Sequence, residues 1–557
     1  MATHHNRRNR ILILGLSATA VFFACHCFHW YRQVIDDAYI SFRYARNLCD
    51  GMGLVFNPGE QVEGFSNLSW VLIASLGLST GCDPALFAKL VALASGVGSI
   101  LCVYWCFNLF APREPTLFRI AAPLLLATSS FLCYWTFSGM ETAFFGFLLI
   151  LGVCLNSRET EGSHPASAWI LGLACLTRPE GAGFVLVFLA VTNLQRARSK
   201  TLLTSYNLKL HGILAALAAA FVGFRLIYYG DWVPNTYYAK MALPFQERNL
   251  AYLLDFFFIH GAALSIVMAF ALPAFVIHWG KKAWPIVALL AFNWFFIACA
   301  PDWMPNYRFH SHTLPLLVLV VGLGSWTIVK RLAARSALLG AGAAVAIWAL
   351  LLFHAITNVS YDTISDYNQL RPSTRKPVDW ILRIPRKIDE GIAPPLLEQA
   401  FFLMENTTEE MTVGLRDIGF SAYASRCRVH DRAMLVNRLA PAYFAALSDD
   451  SVRTFAHGAL RESIEDQDPD YFLYPPFAHL SSDLWSRAAD SVYRNYFAGR
   501  MEIVRTEGRR LGRVEVFRKK GLTWRPAREE LIAKYEKLVH ENPACKVLKK
   551  RLDELRR

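Results

Sequence analysis

The chain has 557 residues, 54% of them hydrophobic and 13% aromatic, with a mean hydropathy of +0.28. So much apolar material, concentrated between residues 11 and 356, excludes an ordinary soluble enzyme and implies a polytopic membrane protein with a soluble remainder. The formal charge of +13 (57 Lys and Arg against 44 Asp and Glu) lies largely in short loops and at the two termini. That placement fits the positive-inside bias and anionic lipid head groups as partners, not nucleic acid.

Arg7-Arg8-Asn9-Arg10 precedes the first apolar run, residues 11–31, which lacks a small-residue cleavage site and reads as an uncleaved anchor. Directly after it come Asp36-Asp37 and, within the same segment to Arg46, Arg43. Ionisable groups at the edge of a membrane span usually face a cavity rather than lipid, which makes this segment a candidate active site. A charged helix cap at the membrane surface is the plain alternative. Further apolar runs at 84–110, 118–137, 140–155, 166–177, 181–194, 210–229, 251–278, 283–299, 310–329 and 336–356 bring the expected count to about eleven transmembrane helices. Residues 68–80 are too short to cross and are expected to form a re-entrant or interfacial helix.

With the N-terminus in the cytoplasm, the loops holding Arg113 and Arg119, Arg158, Arg196 to Lys200, Lys281-Lys282, and Lys330-Arg331 with Arg335 fall on the cytoplasmic side. Most are net basic, as the charge rule requires. The opposite side then receives Asp36-Asp37, Gly139-Met140-Glu141-Thr142, Thr177-Arg178-Pro179-Glu180-Gly181, Tyr228 to Lys240, and Pro301 to Phe309. Carboxylates, arginines and aromatics are thus collected on one face.

An odd number of spans exports everything after residue 356, giving a transmembrane domain over 1–356 and an extracytoplasmic α/β domain over 357–557. Strands are expected at 411–415, 471–476 and 514–517, with a helix after Asp417-Ile418-Gly419. The charge-rich tail from Arg528 reads as a solvated terminal helix. The 12 cysteines form no CxxC pair. Cys25-His26-Cys27 with His29 cannot converge on one metal ion, because adjacent helix positions point in different directions. Cys427 and Cys545 would both be exported, yet spacing alone supports no bridge.

A polar outer face of this kind suits group transfer from a lipid-phosphate sugar, which makes three demands. A carboxylate must orient or deprotonate the acceptor hydroxyl, or hold a divalent cation; Asp36 and Asp37 are the candidates for either role. Cations must take up charge as the phosphate leaves, and Arg308, Arg178, Lys240 and Arg43 are available. Polar and aromatic groups must hold the sugar, among them Asn67, Trp70, Trp232, Asn235, Tyr237, Tyr238 and Trp303, although Trp and Tyr also anchor membrane interfaces. Glu141 and Glu180 each sit beside the start of an apolar run, where a carboxylate also serves as a helix cap.

With these residues in view, the chain resembles lipid-phosphate-dependent glycosyltransferases of the GT-C architecture. More narrowly, it resembles the mycobacterial terminal arabinofuranosyltransferase family and its uncharacterised bacterial relatives. The matching stretches are Asp36 to Arg46, Gly53 to Glu60, Val62 to Asn67, Gly139 to Thr142, Thr177 to Gly181, Tyr228 to Lys240, Asp302 to Phe309, and Asp417-Ile418-Gly419. The resemblance implies that Asp36 and Asp37 occupy the carboxylate pair of the first periplasmic loop. It implies a polyprenyl-phosphate sugar as donor, and a cell-envelope glycan or glycoconjugate as acceptor on the outer face of the inner membrane. The exported domain would shape or bind that acceptor. Within the matched motifs, Glu141, Asn67, Glu63, Asn235, Tyr237 and Asp302 are the candidates for holding sugar or acceptor. The family tends to have glycines just before the aspartate and after the proline of the Asp302 motif, where this chain has Ala300-Pro301 and Asn306. Phe65-Ser66-Asn67-Leu68 and Ser421-Ala422 also depart from the family pattern, so the sugar, hexosyl or pentosyl, stays open. A transporter or flippase of lipid-linked sugars is the alternative, but no internal repeat is visible and the charges lie on one face rather than along a path across the membrane. A scaffold would leave Asp36-Asp37 without a purpose.

Overall fold

The computed structural model describes residues 2–31, 33–112, 114–241, 250, 252–254, 256–257, 261–299, 304, 306–359, 394–415, 417–431, 435–437, 467–474, 501–503, 515–522, 527–541 and 546–557. In chain order the helices are α1 (Ala2–Phe28), α2 (Asp36–Cys49), α3 (Leu68–Ser79), α4 (Pro84–Phe110), α5 (Thr116–Ala127), α6 (Ser130–Phe137), α7 (Thr142–Arg158) and α8 (Ala166–Thr177). They continue with α9 (Glu180–Arg198), α10 (Ser205–Tyr228), α11 (Asn235–Met241), α12 (Ala262–Trp279), α13 (Trp284–Cys299), α14 (Arg308–Ser311), α15 (Leu314–Ala333), α16 (Ala337–Val359) and α17 (Pro394–Asn406). Beyond these lie β1 (Thr412–Leu415), α18 (Phe420–Ser425), β2 (Arg428–Asp431), β3 (Tyr471–Tyr474), β4 (Met501–Ile503), β5 (Glu515–Lys519), α19 (Arg528–Glu541) and α20 (Lys546–Arg556).

The protein is a multi-pass membrane protein. Among the described residues six helices are long and apolar enough to cross a bilayer: Arg10–Phe28, Pro84–Phe110, Ser205–Tyr228, Ala262–Lys282, Leu314–Ala333 and Ala337–Ile356. The expected span at 118–137 is a pair, α5 and α6, bent by 55° at its break, and counts as a seventh if taken as one. The expected spans at 140–155, 166–177 and 283–299 are helices of 17, 12 and 16 residues, short of the roughly 20 that a perpendicular crossing needs. The count of eleven is therefore not what helix length and composition give. Residues 68–79 form a separate 12-residue helix.

The chain divides into two compact units. One comprises 1–41, 66–233 and 243–391; the other comprises 42–65, 234–242 and 392–557. The second unit thus includes the end of α2 and the loop that follows it, as well as the C-terminal part. Its sheet has the order β2-β1-β3-β5-β4, parallel across β2-β1-β3 and antiparallel across β3-β5-β4. Strands β1, β3 and β5 overlap the three runs read as strands in the sequence. The tail differs from expectation. It forms two helices whose Tyr535 and Leu552 are buried against Phe401 and Met404, and Arg551 grips Glu405 of α17 through Nε at 2.7 Å and Nη2 at 2.9 Å. One face of the tail is therefore core, not solvent. Cys427 is a buried free thiol, and Cys545 lies outside the described residues.

Arg43 explains why the first loop belongs to the second unit. The guanidinium is 1% exposed and donates through Nε to Phe56 O (2.8 Å), through Nη1 to Ala422 O (2.9 Å), and through Nη2 to Cys427 O (2.7 Å) and Asn57 Oδ1 (3.4 Å). Burial brings its pKa down to about 10, so it remains charged at neutral pH. The loop then turns at Asn57-Pro58-Gly59-Glu60, where Glu60 N bonds Asn57 O and Gly59 takes φ +82°. Proline at the second position and a positive-φ glycine at the third specify a type II turn. Asn57 pairs with β2 through both halves of its amide, donating to Val429 O and accepting from Val429 N at 2.9 Å each. Arg43→Ala is expected to destabilise this unit by about 3 kcal/mol or more, since several buried acceptors lose their donor. Thermal unfolding, read by protease susceptibility of the C-terminal part, measures it; unfolding at the wild-type temperature would contradict this account.

Candidate active site

Arg178 precedes Pro179, which disfavours helix at that position, and its backbone is extended (φ −150°, ψ 144°) between α8 and α9. The two helices then close tightly. A Cβ on Gly181 would come within 2.5 Å of Ala174 O, so only glycine fits. This turn drives the Arg178 side chain into the protein, where it is 5% exposed. Its Nη1 lies 2.5 Å from Glu141 Oε1 and its Nε 2.5 Å from Glu180 Oε1. Both glutamates are buried as well. Glu141 stands at the N-cap of α7 yet makes no capping hydrogen bond, so the cap reading does not account for it. Its turn is held in place by Trp70 Nε1, which donates to Gly139 O at 2.9 Å, while Gly139 takes φ +83°.

The network continues toward Asp36 and Asp37. Asn67 Nδ2 donates to Glu141 Oε2 (2.9 Å), and Ser41 Oγ donates to Asn67 Oδ1 (3.1 Å). Ser41 is four residues after Asp37 on α2, so the two share a helix face. Both aspartates lie in the first turn of α2, half-buried, at the positive end of the helix dipole. The entry of the helix is fixed by Ile35 N, which donates to Ser138 O at 2.9 Å.

Arg308 follows two consecutive non-glycine residues in the left-handed region, Asn306 (φ +62°) and Tyr307 (φ +49°). Such strain persists where the surroundings over-determine it. Here Trp135 Nε1 donates to Asn306 O at 2.7 Å, and the Tyr307 ring packs edge-on against Phe131. The glycine that the family tends to have at Asn306 is thus replaced by a residue that tolerates positive φ better than most. Arg308 is buried, with Nη1 3.1 Å from Met304 Sδ. The Phe309 ring gathers two cations: its centroid is 4.6 Å from Arg308 Cζ and 5.4 Å from Arg178 Cζ.

The first unit therefore holds Asp36, Asp37, Asn67, Glu141, Arg178 and Arg308, and brings Asn67, Glu141 and Arg178 into direct contact. Arg43, Glu63, Asn235, Tyr237, Tyr238 and Lys240 fall in the second unit. Arg43 has the structural role described above, which corrects the expectation of a phosphate contact, because all three guanidinium nitrogens are engaged by protein acceptors. Asn235 is buried and donates to Leu435 O and Asn437 O (2.9 Å each), and its N–H donates to Glu63 O (2.9 Å). Glu63 is buried beside it, and Tyr237 is 46% exposed. Asp302 and Trp303 lie outside the described residues, as does the side chain of Lys240. Among the described residues no three His, Cys, Asp or Glu side chains come together to hold a metal ion.

Sequence reasoning missed His312 and Asn293. His312 is fully buried beside Phe145 and Phe184, and its Nε2 lies 3.0 Å from Asn293 Oδ1. Asn293 Nδ2 in turn donates to Thr313 Oγ1 (3.1 Å). The signal was the polar run His310-Ser311-His312-Thr313, which hydropathy had merged into the following span.

Two relatives named terminal β-(1→2)-arabinofuranosyltransferase match the chain. That of Mycobacterium tuberculosis is 30% identical over 255 residues, 41% of this chain and 38% of the relative. That of Corynebacterium glutamicum is 33% identical over 249 residues, 38% of this chain and 34% of the relative. The chain thus matches little more than a third of the length of these relatives. No family model matches it. In structure it shares the fold of ArnT from Cupriavidus metallidurans. The apo form gives a TM-score of 0.55 at 11% identity, over 89% of this chain and 97% of that one. The form bound to undecaprenyl phosphate gives 0.51 at 11% identity, over 92% and 99%. The class is therefore a polytopic membrane protein of ArnT-like fold, and the sequence likeness is to terminal arabinofuranosyltransferases.

The left-handed Asn306 offers a direct check on the Arg308 loop. Asn306→Gly is expected to leave the melting temperature unchanged or raise it. Asn306→Val should cost about 1–2 kcal/mol, because a β-branched residue is strained at positive φ. Equal stability of the two variants, measured by thermal unfolding in detergent, would count against the loop conformation.

Proposed function

We propose that the protein is a GT-C glycosyltransferase that moves a sugar from a polyprenyl-phosphate donor to a cell-envelope glycan, on the outer face of the inner membrane. The observation that carries this reading is the hydrogen-bonded series Ser41–Asn67–Glu141–Arg178–Glu180, which ties the helix bearing Asp36 and Asp37 to a buried charged cluster. The ArnT-like fold supports it, since ArnT has been crystallised with undecaprenyl phosphate. The names of the relatives support a glycosyl group, with arabinofuranose as the first sugar to test.

In this mechanism the acceptor hydroxyl oxygen bonds to the anomeric carbon, and the bond from that carbon to the phosphate oxygen breaks. The bonding electrons leave with the polyprenyl phosphate, and the hydroxyl proton passes to a carboxylate. Asp37 is the preferred base, because its helix face is the one that Ser41 joins to Asn67 and Glu141; Asp36 sits beside it. Arg178 is already neutralised by two carboxylates, so it positions Glu141 and Glu180 rather than binding phosphate. Arg308, against the same Phe309 ring, takes the leaving phosphate, for which a guanidinium offers two parallel hydrogen bonds.

Transfer by purified protein from a labelled polyprenyl-phosphate arabinofuranose tests the reading. Asp37→Asn should lower turnover by about 10²-fold or more, the usual contribution of a general base. If Asp36→Asn and Asp37→Asn both fold and retain near-normal transfer, the carboxylates are structural and the proposal fails. Arg308→Lys keeps the charge but not the fork, and is expected to lose much of the activity; Arg308→Ala should lose nearly all of it. Normal donor use by Arg308→Ala would move the phosphate contact to another cation.

A further inference from the structure

Helices α7 and α9 carry the Glu141–Arg178–Glu180 cluster at their N-terminal ends. At 1.5 Å per residue their C-terminal ends lie about 25 Å away, at the opposite end of the same helices. A cavity of about 260 Å³ opens there, among Asn156, Thr192, Arg196, Ser199, Thr201 and Lys281. Its lining holds two cations and no carboxylate. Arg196 lies with its Cζ 4.8 Å from the Tyr206 ring and is steadied by Asn207 Oδ1, which leaves its charge without a carboxylate partner among the described residues. Glu159, the acid at the end of α7, is not among the lining residues; it is held one side chain away, accepting from Ser167 N (2.8 Å), Ser167 Oγ (2.5 Å) and Tyr206 Oη (2.7 Å), the hydroxyl to which Asn156 Nδ2 also donates (3.0 Å).

The walls of the cavity are built, not incidental. The chain leaves α9 through Lys200 at φ +59° and folds back so that Thr201 N bonds Arg196 O at 2.8 Å, which brings Ser199 and Thr201 to the rim. Gln195 Nε2 donates to Lys281 O at 2.7 Å and ties the turn after α12 to the end of α9. Large apolar side chains within a few positions of lining residues in the sequence stay exposed: Leu194, Leu203 and Trp284 at 54%, 81% and 51%. Cations and hydroxyls beside exposed Leu and Trp match the profile of a membrane at head-group depth.

We infer that this cavity binds the head group of an anionic phospholipid, with Arg196 and Lys281 on the phosphate, hydroxyl and amide groups of Asn156, Thr192, Ser199 and Thr201 on its polar substituent, and acyl chains along Leu194, Leu203 and Trp284. The inference does not depend on the transferase reading, since it concerns the other end of the helices.

Native mass spectrometry of the full-length protein, titrated with phosphatidylglycerol and separately with phosphatidylcholine, tests it. Wild type should retain a phosphatidylglycerol that Arg196→Gln/Lys281→Gln loses, with affinity lowered roughly tenfold or more for two removed cations. Phosphatidylcholine binding should not change. Arg198→Gln, which removes an exposed charge on α9 outside the cavity, should have little effect. Arg196→Lys/Lys281→Arg, which keeps both charges and guards against misfolding of the neutral variant, should keep most of the binding. Three results would overturn the proposal: undiminished phosphatidylglycerol binding by the neutral double variant; an equal loss in Arg198→Gln, which would mean a diffuse basic surface; or displacement of the lipid by inorganic phosphate at matched concentration, which would mean a soluble phosphate ester as ligand.

Discussion

The first unit depends on one buried guanidinium held between two buried carboxylates. Glu141 and Glu180 begin α7 and α9, and neither charge could sit in a nearly solvent-free interior without a partner. Arg178 supplies that partner to both, and it does so from the residue that breaks the helix between α8 and α9. Because hydrogen bonds in such a network strengthen one another, the order imposed on Glu141 extends to Asn67, and through Ser41 to α2. The starts of four helices, α2, α3, α7 and α9, are fixed by one connected set of polar contacts. Such precision is expensive to maintain and is expected where chemistry requires it.

The second unit uses a buried arginine in a different way. Arg43 has no carboxylate at hydrogen-bonding distance among its described contacts; its acceptors are three backbone carbonyls and an amide oxygen. It therefore keeps its full charge and works as a multiple donor that joins residues 42–65 to the segment around 422–427. The same loop is stitched to β2 by Asn57, and a Cβ on Gly64 would come within 2.8 Å of Tyr44 Oη and 2.9 Å of Leu435 O, so a side chain there would clash. The C-terminal part is thus completed by chain from the beginning of the protein. Helix α2 contributes residues to both units, with its aspartates and Ser41 in one and Arg43 in the other.

Charge is distributed along α7 and α9 in a way that the two proposals read together. Carboxylates and Arg178 occupy one end; Arg196, Arg198 and nearby lysines occupy the other. On the two proposals, the buried charged end serves the chemistry and the basic end holds lipid. Basic side chains at helix C-termini also complement the helix dipole, so the same residues stabilise the helices that carry the buried charged cluster.

Much of this was legible in the sequence. Hydropathy alone determined that the chain enters the membrane repeatedly, because about 20 apolar residues leave few other options. Local chemistry determined the turn at Pro58-Gly59, the break at Arg178-Pro179 and strands β1, β3 and β5. The motifs pointed to Asp36-Asp37, Glu141, Arg178 and Arg308, and to the relatives that comparison finds. Tertiary structure decided the rest. Arg43 and Arg178 look alike in sequence, each an arginine beside a span, and only contacts across 379 and 37 residues distinguish a loop anchor from a carboxylate bridge. The short helices passed for spans because composition does not report where a helix ends. The tail looked solvated because Tyr535 and Leu552 are sparse among charges, and their burial depends on α17, more than a hundred residues away. A sequence records which groups a residue can satisfy; long-range packing determines which of them it meets.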